Sequence, residues 1–269
     1  MARNALHQVN RAVGIKISFN TAKQVMAHMQ SLGDEQQAQH LMRFFKTGKG
    51  DYGEGDRFLG IKVPDTRRVV AQCKHLPLSE VEQLLTSSWH EERLCGLLVL
   101  VAQFEALSAK RLIADSKAMS RRDEIVDFYL NHARCANNWD LVDLSVYKIL
   151  GEWLMLPSRL ADEEKLSVID KLAASDNLWE QRMSMVCTMG PLRHGEPKFT
   201  LRYAECHLHH PHDLMHKAVG WMLREMGKRV SMDVLRDFLQ QYAHEMPRTA
   251  LRYAIELMSA EERKQWMMR

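Results

Sequence analysis

Asn137-Asn138-Trp139-Asp140-Leu141-Val142-Asp143 lies near the middle of the chain, and its spacing governs how the flanking sequence is read. Trp139, Asp140 and Asp143 fall at offsets 0, +1 and +4, so on a helix Trp139 and Asp143 share one face, one turn apart. Two readings are open. In one, Asn138 caps a helix start, acids occupy the first turn and Trp139 packs inward. In the other, a flat ring and a carboxylate stand side by side as a site. Company favours the second, because the stretches at 179–182 and 217–224 repeat a Trp with charges at a helix opening.

Working outward, apolar positions recur at helical spacing and period-2 alternation is absent, which predicts an all-α chain. Helices are expected at 65–75, 79–87, 89–106, 108–118, 121–133, 139–155, 162–174, 178–188, 197–209, 213–226, 231–242 and 247–257. Two short helical patterns precede them between 19 and 46, split near Gly33-Asp34. The helices come in pairs whose second members are alike: Trp89-His-Glu-Glu-Arg-Leu, Trp139-Asp-Leu-Val-Asp-Leu, Trp179-Glu-Gln-Arg-Met-Ser, Lys217-Ala-Val-Gly-Trp-Met and Arg248-Thr-Ala-Leu-Arg-Tyr. Successive starts lie about 50, 40, 38 and 31 residues apart, the scale of HEAT and armadillo repeats. One pair cannot bury its apolar side alone, so neighbours stack into a HEAT-like helical-repeat solenoid, an α-α superhelix with a concave surface. The openings of the second helices line that surface, and their free N–H groups favour anions such as phosphate, so a basic groove is expected. Residues 19–269 read as a single domain. Residues 1–18 carry little pattern and read as a mobile N-terminal arm.

Composition narrows the class without choosing a function. A chain of 269 residues, 46% hydrophobic and 26% charged, has an ordinary globular balance and buries a substantial core. The net charge of +3 says little by itself, yet it can hide a basic face, because Arg and Lys thicken in the second half. Five Cys (Cys73, Cys95, Cys135, Cys187 and Cys206) are odd in number and contain no CxxC. That fits free thiols in a reducing compartment better than a disulfide framework. The first twenty residues lack the apolar centre of a signal peptide, and the longest apolar run, 97–102, is too short to span a bilayer. A cytoplasmic protein without membrane contact is expected.

Three further features have bland readings beside sharper ones. Thr47-Gly-Lys-Gly-Asp-Tyr-Gly-Glu-Gly-Asp56 resembles a phosphate cradle, but no GK[ST] closes it and no strand precedes it; a sharp surface excursion is the better reading. His207, His209, His210, His212 and His216 invite a metal, and His212 and His216 have i, i+4 spacing. No HExxH frame or Cys partner accompanies them, so no metal site is assigned. Trp89, Trp153 and Trp179 read as packing residues, and the 17 Met as core filler.

Four stretches, in order, carry a family likeness: Phe58-Leu-Gly-Ile, Trp139-Asp-x-x-Asp143, Ala174-Ser-Asp-Asn-Leu-Trp-Glu-Gln-Arg182 and Lys217-Ala-Val-Gly-Trp-Met-Leu-Arg-Glu225. Over about 40–255 the chain resembles the DNA alkylation repair family, the HEAT-like-repeat (AlkD-like) DNA glycosylases. The resemblance implies removal of cationic N3- and N7-alkylated purines from duplex DNA by hydrolysis of the glycosidic bond, in base excision repair. It implies Asp143 as the catalytic carboxylate, Trp139 and Trp221 as the rings flanking the sugar and backbone, and Arg182 as a contact to DNA near the lesion. It further implies that the base stays stacked, so no deep base pocket is expected.

The chemistry agrees with the residue types. Cleavage of an N-glycosidic bond passes through an oxocarbenium-like state, which a carboxylate stabilises and aromatic faces favour through their quadrupoles. A cationic purine leaves readily, so neither a strong general acid nor a cofactor is required. Lys217, Arg224, Lys228 and Arg229, with Arg248 and Arg252, read as a stripe for the DNA backbone, or as a solvated face. The expected partner is duplex DNA containing alkylated bases, met by a monomer without an obligate protein partner, at the nucleoid when bound. Two other readings stand beside it: a non-catalytic DNA-binding module for distorted or branched DNA, and a protein-interaction scaffold. The glycine-rich excursion at 47–56 and Met-Pro-Arg-Thr-Ala-Leu-Arg-Tyr-Ala at 246–254 depart from the archetype and suggest a divergent branch.

Overall fold

The computed structural model describes residues 18–268; all but the last residue of the expected arm lies outside them. Among the described residues helix follows helix, and the only extended pairing is an isolated bridge between Arg57 and Trp89. The chain divides into two compact units, Met1–Val99 and Leu100–Arg269, and each is built by its own local logic. No described helix is long and apolar enough to cross a membrane.

In the first unit, α1 (Ala22–Leu32) starts on the Thr21 cap and α2 (Glu35–Phe44) on the Asp34 cap, each side chain accepting a first-turn N–H. They are the two patterns split at Gly33-Asp34. α3 (Val63–Cys73) carries Pro64 and Asp65 in its opening turn, where Pro's missing N–H costs nothing. α4 (Leu78–Leu85) follows, and α1 packs on both α3 and α4. The unit boundary falls within α5 (His90–Leu107).

The Phe58-Leu-Gly-Ile stretch is held by one carboxylate. Glu91 accepts the N–H groups of Leu59, Gly60 and Ile61 at 2.8, 2.8 and 3.0 Å. Gly60 has φ +85°, and a Cβ there would lie 2.0 Å from the Asp34 carbonyl oxygen, so only glycine fits. Beneath it, buried Asp56 binds His90 at 2.8 Å and Arg93 at 2.5 Å, and His90 stacks on Phe58. The glycine-rich excursion mostly satisfies itself: Gly50 donates to Glu54, Asp51 to Gly48, and Gly53 to Lys46. A loop closed this way is a surface turn rather than a phosphate cradle.

The second unit holds the repeats whose second helices start at Trp139 and beyond. α6 (Ser116–Asn131) corrects the expected pair of helices at 108–118 and 121–133: only a 3-10 turn, Lys110–Leu112, precedes it. Asp115 caps α6 by accepting Ala118 N–H at 2.7 Å, a start signal that outweighs the apolar spacing before it. Arg122, fully buried, donates to the carbonyls of Leu107, Leu112 and Ile113 and so closes that turn.

α7 (Trp139–Val146) runs through a π turn, Tyr147–Gly151, into a last turn at Glu152–Met155. Then come α8 (Asp162–Ala173), α9 (Leu178–Val186), α10 (Met189–Arg193), α11 (Lys198–Cys206), α12 (Asp213–Arg229), α13 (Met232–Tyr242), α14 (Arg248–Ala254) and α15 (Ala260–Met267). The second members of the pairs pack in series, α7 on α9, α9 on α12 and α12 on α14. Their partners cover them: α8 lies on α9, and α11 and α13 lie on α12. The fold is all-α and built from helical repeats.

Two glycine contacts set how closely these helices approach. A Cβ on Gly190 of α10 would lie 2.3 Å from the Gly151 carbonyl carbon in the π turn, and one on Gly220 of α12 would lie 2.3 Å from Ala250 O in α14. Trp153 and Trp179 are buried as expected of packing residues, whereas Trp89 is only partly covered and carries the Arg57 guanidinium 4.1 Å from its ring centre. Among the described residues no cysteine forms a disulfide, and Cys73, Cys95 and Cys187 are buried. Burial pushes the Cys187 thiol well up; Cys95 is pushed up by its hydrogen bond to Cys73 and by burial.

Candidate active site

Asp143 and Arg182 meet across α7 and α9. α7 starts where Asn138 accepts Trp139 N–H at 2.9 Å, which places Trp139 and Asp143 one turn apart on the same face. α9 starts where Asn177 accepts the N–H groups of Trp179 and Glu180, which aims Arg182 back at α7. Its Nε and Nη2 donate to the two carboxylate oxygens of Asp143 at 2.9 and 2.8 Å. The third arm, Nη1, donates to Leu214 O at 2.5 Å, in the first turn of α12. One guanidinium therefore joins three consecutive second helices.

The pair sits at the edge of the interior. The Arg182 side chain is 5% exposed and that of Asp143 14%; Trp139 and Trp221 are half-buried. Burial pushes the Asp143 carboxyl above its ordinary value; Arg182 pulls it back down, and Asp140 pushes up again. Two parallel N–H donors match an ionised carboxylate, so the fork of Arg182 favours the charged form. Asp140 stands in the first turn and accepts Leu141 N–H.

At 4% exposure, with all three arms engaged, the Arg182 guanidinium is an interior strut that holds the Asp143 carboxylate.

The basic residues divide by what they touch. Lys217, Trp221, Arg224 and Lys228 follow one another at spacings of 4, 3 and 4 along one face of α12. Lys217 pairs with Asp213 at 2.7 Å, Arg224 with Glu256 and Glu225, and Arg229 with Glu225 at 2.8 Å. Arg248 donates to the Met267 carbonyl. Lys228 and Arg252 are exposed. Where such a pair is exposed, as Lys217 with Asp213 is, it contributes only about 0–1 kcal/mol. The Gly220–Ala250 approach keeps α14, with Arg248 and Arg252, tight against the helix that carries Trp221.

A family model described as DNA alkylation repair enzyme matches residues 25–258, most of the chain. The chain belongs to the DNA alkylation repair enzyme family. Its fold is similar to a solved structure, a predicted DNA alkylation repair enzyme from Enterococcus faecalis. The two share 14% identity and a TM-score of 0.59 over 85% of this chain and 97% of that one. None of the curated proteins compared matches the chain. As a DNA alkylation repair enzyme the protein acts in repair of alkylated DNA.

Several groups around the Asp143–Arg182 pair carried no sequence signal of their own. Leu214 acts through its carbonyl, and Gln181, next to Arg182, binds His210 at 2.8 Å. Below α7, Tyr129 donates to Ser145 at 2.9 Å, while the Ser145 hydroxyl donates to Leu141 O. Four of the five clustered histidines are held by hydrogen bonds within the fold, His207 with Ser184, His210 with Gln181, His212 with Leu214 and His216 with the His210 carbonyl, while exposed His209 lies 3.2 Å from Glu245.

Proposed function

We propose that the protein is a DNA N-glycosylase that hydrolyses the glycosidic bond of cationic N3- or N7-alkylated purines in duplex DNA. The observation that carries this reading is the Asp143 carboxylate, partly exposed, fixed by the Arg182 fork, with Trp139 one turn away. As the C1′–N bond breaks, its electron pair neutralises the charged purine and positive charge develops on the sugar. Asp143 stabilises that charge electrostatically, and the faces of Trp139 and Trp221 favour the same cation. Water then bonds to C1′ and loses a proton, with Asp143 as the nearby acceptor. The purine leaves neutral, so no residue need protonate it.

Arg182 keeps Asp143 oriented before substrate arrives, so little reorganisation is needed during reaction. The cationic face of α12, with Arg248 and Arg252, takes the phosphates, and affinity then falls steeply with salt. The test is release of free 7-methylguanine from duplex DNA by wild type and Asp143→Asn. Release by wild type alone, with DNA binding kept in the variant, is the expected result. Full release by Asp143→Asn overturns the assignment of Asp143. No release by either, with salt-sensitive binding intact, leaves a non-catalytic DNA-binding protein.

A further inference from the structure

The segment between α11 and α12 contains a corner, His210-Pro211-His212, in which each imidazole has one possible proton arrangement. His210 Nδ1 faces the His212 backbone N–H at 3.0 Å, so it accepts, and its Nε2–H donates to Gln181 Oε1 at 2.8 Å. Gln181 cannot flip, because its amide nitrogen donates to Ser175 O at 2.7 Å. His212 Nδ1 faces Leu214 N–H at 3.1 Å and accepts in turn, capping α12. His216 Nε2–H donates to the His210 carbonyl at 2.5 Å. His210 and His212 hold the corner only as neutral rings, since a protonated ring has no acceptor.

Leu214 joins this corner to the site. Its N–H is held by His212, and its carbonyl accepts Arg182 Nη1 at 2.5 Å. Gln181 and Arg182, adjacent on α9, thus grip the corner and the start of α12 respectively. We infer that His212 is a positioning residue for the Asp143–Arg182 site: its neutral imidazole fixes the Leu214 backbone, whose carbonyl sets the guanidinium that holds the carboxylate.

The charges around the corner favour the neutral form. His212 faces Asp213, His216 and Lys217 on its own helix and Arg182 from α9; His210 faces His212 and His216. Burial acts first, and the surrounding cations add to it against Asp213 alone. A proton on His212 turns an N–H toward Leu214 N–H and sets a second cation beside Arg182. The Leu214 carbonyl then loses its anchor.

The inference rests on reading Asp143 and Arg182 as the excision site, so its test carries one readout that needs no excision. Wild type, His212→Leu and His212→Asn are compared by single-turnover release of 7-methylguanine, by DNA dissociation constant, and by NMR titration of the Asp143 carboxyl carbon. Leucine removes the acceptor, while asparagine keeps a helix cap that does not titrate. His212→Leu should lower the excision rate about ten- to a hundred-fold, leave DNA affinity within about two-fold, and raise the pH at which Asp143 titrates. His212→Asn should restore most of the rate and remove the loss of activity that acid causes through this ring.

Should His212→Leu not fold, the rate and acid limb of His212→Asn decide alone. A wild-type rate and a wild-type Asp143 titration in His212→Leu overturn the inference, as does an unchanged acid limb in His212→Asn. If wild type releases no base, the excision reading fails. The Asp143 titration still decides whether the corner positions the pair.

Discussion

Arg182 binds both oxygens of Asp143, from Nε at 2.9 Å and from Nη2 at 2.8 Å, across two neighbouring repeats of one unit. The contact joins stability to chemistry. Replacing Arg182 by Met leaves the largely covered Asp143 carboxylate without its partner and should lower stability by up to about 3 kcal/mol, read by urea unfolding. Replacing it by Lys keeps the charge but not the fork. That variant should fold and bind DNA, yet excise about 10²-fold more slowly. Excision at the wild-type rate in the Lys variant would mean that the fork's geometry is immaterial.

Lys228 and Arg252 are exposed cations on α12 and α14. If they contact phosphates, replacing both by Ala should weaken binding equally on damaged and undamaged DNA. The slope of log K against log salt should shrink by about 1–2. Fluorescence anisotropy at several salt concentrations measures this, and an unchanged slope places the DNA elsewhere.

His207 is buried and held neutral, its pKa lowered from 6.5 to about 4 by burial and by His210. The unfolded chain takes up this proton first, so acid favours unfolding. The loss starts as pH falls below about 6.5, grows to roughly 3 kcal/mol, and levels off below about pH 4. Denaturant unfolding of His207→Gln should show that much less acid sensitivity over this window. Identical pH dependence in variant and wild type would remove His207 as the cause.

Gly190 leaves no room for a methyl group against Gly151. Gly190→Ala should force α10 off the π turn and cost about 3 kcal/mol. In a chain of this size that lowers Tm by roughly 6–12 °C, read by calorimetry. A variant as stable as wild type would show that this crossing yields easily.

The repeats were legible because their signals are local. Asn138 announces a helix start, and Trp139 and Asp143 share a face by spacing alone. The meeting of Asp143 with Arg182 spans 39 residues and has no local signal; the family likeness implied a separate role for each. Other features had no local signature. The π turn at Tyr147–Gly151 interrupts what the apolar spacing reads as one regular helix over 139–155. The Asp115 cap that starts α6 competes with the hydrophobic spacing on either side of it, which reads as two helices. The histidine spacing invited a metal, but the rings bind Ser184, Gln181 and backbone groups, contacts that no spacing rule conveys.

The buried cysteines have a consequence for how the protein survives its own task. Only a thiolate is a strong nucleophile, and the reagents that alkylate DNA attack thiolates readily. Cys95 and Cys187 are both 0% exposed, with thiols pushed toward the protonated state. A protein that works wherever DNA has been alkylated meets those electrophiles too. Cys95 and Cys187 are shielded from them by both access and ionisation.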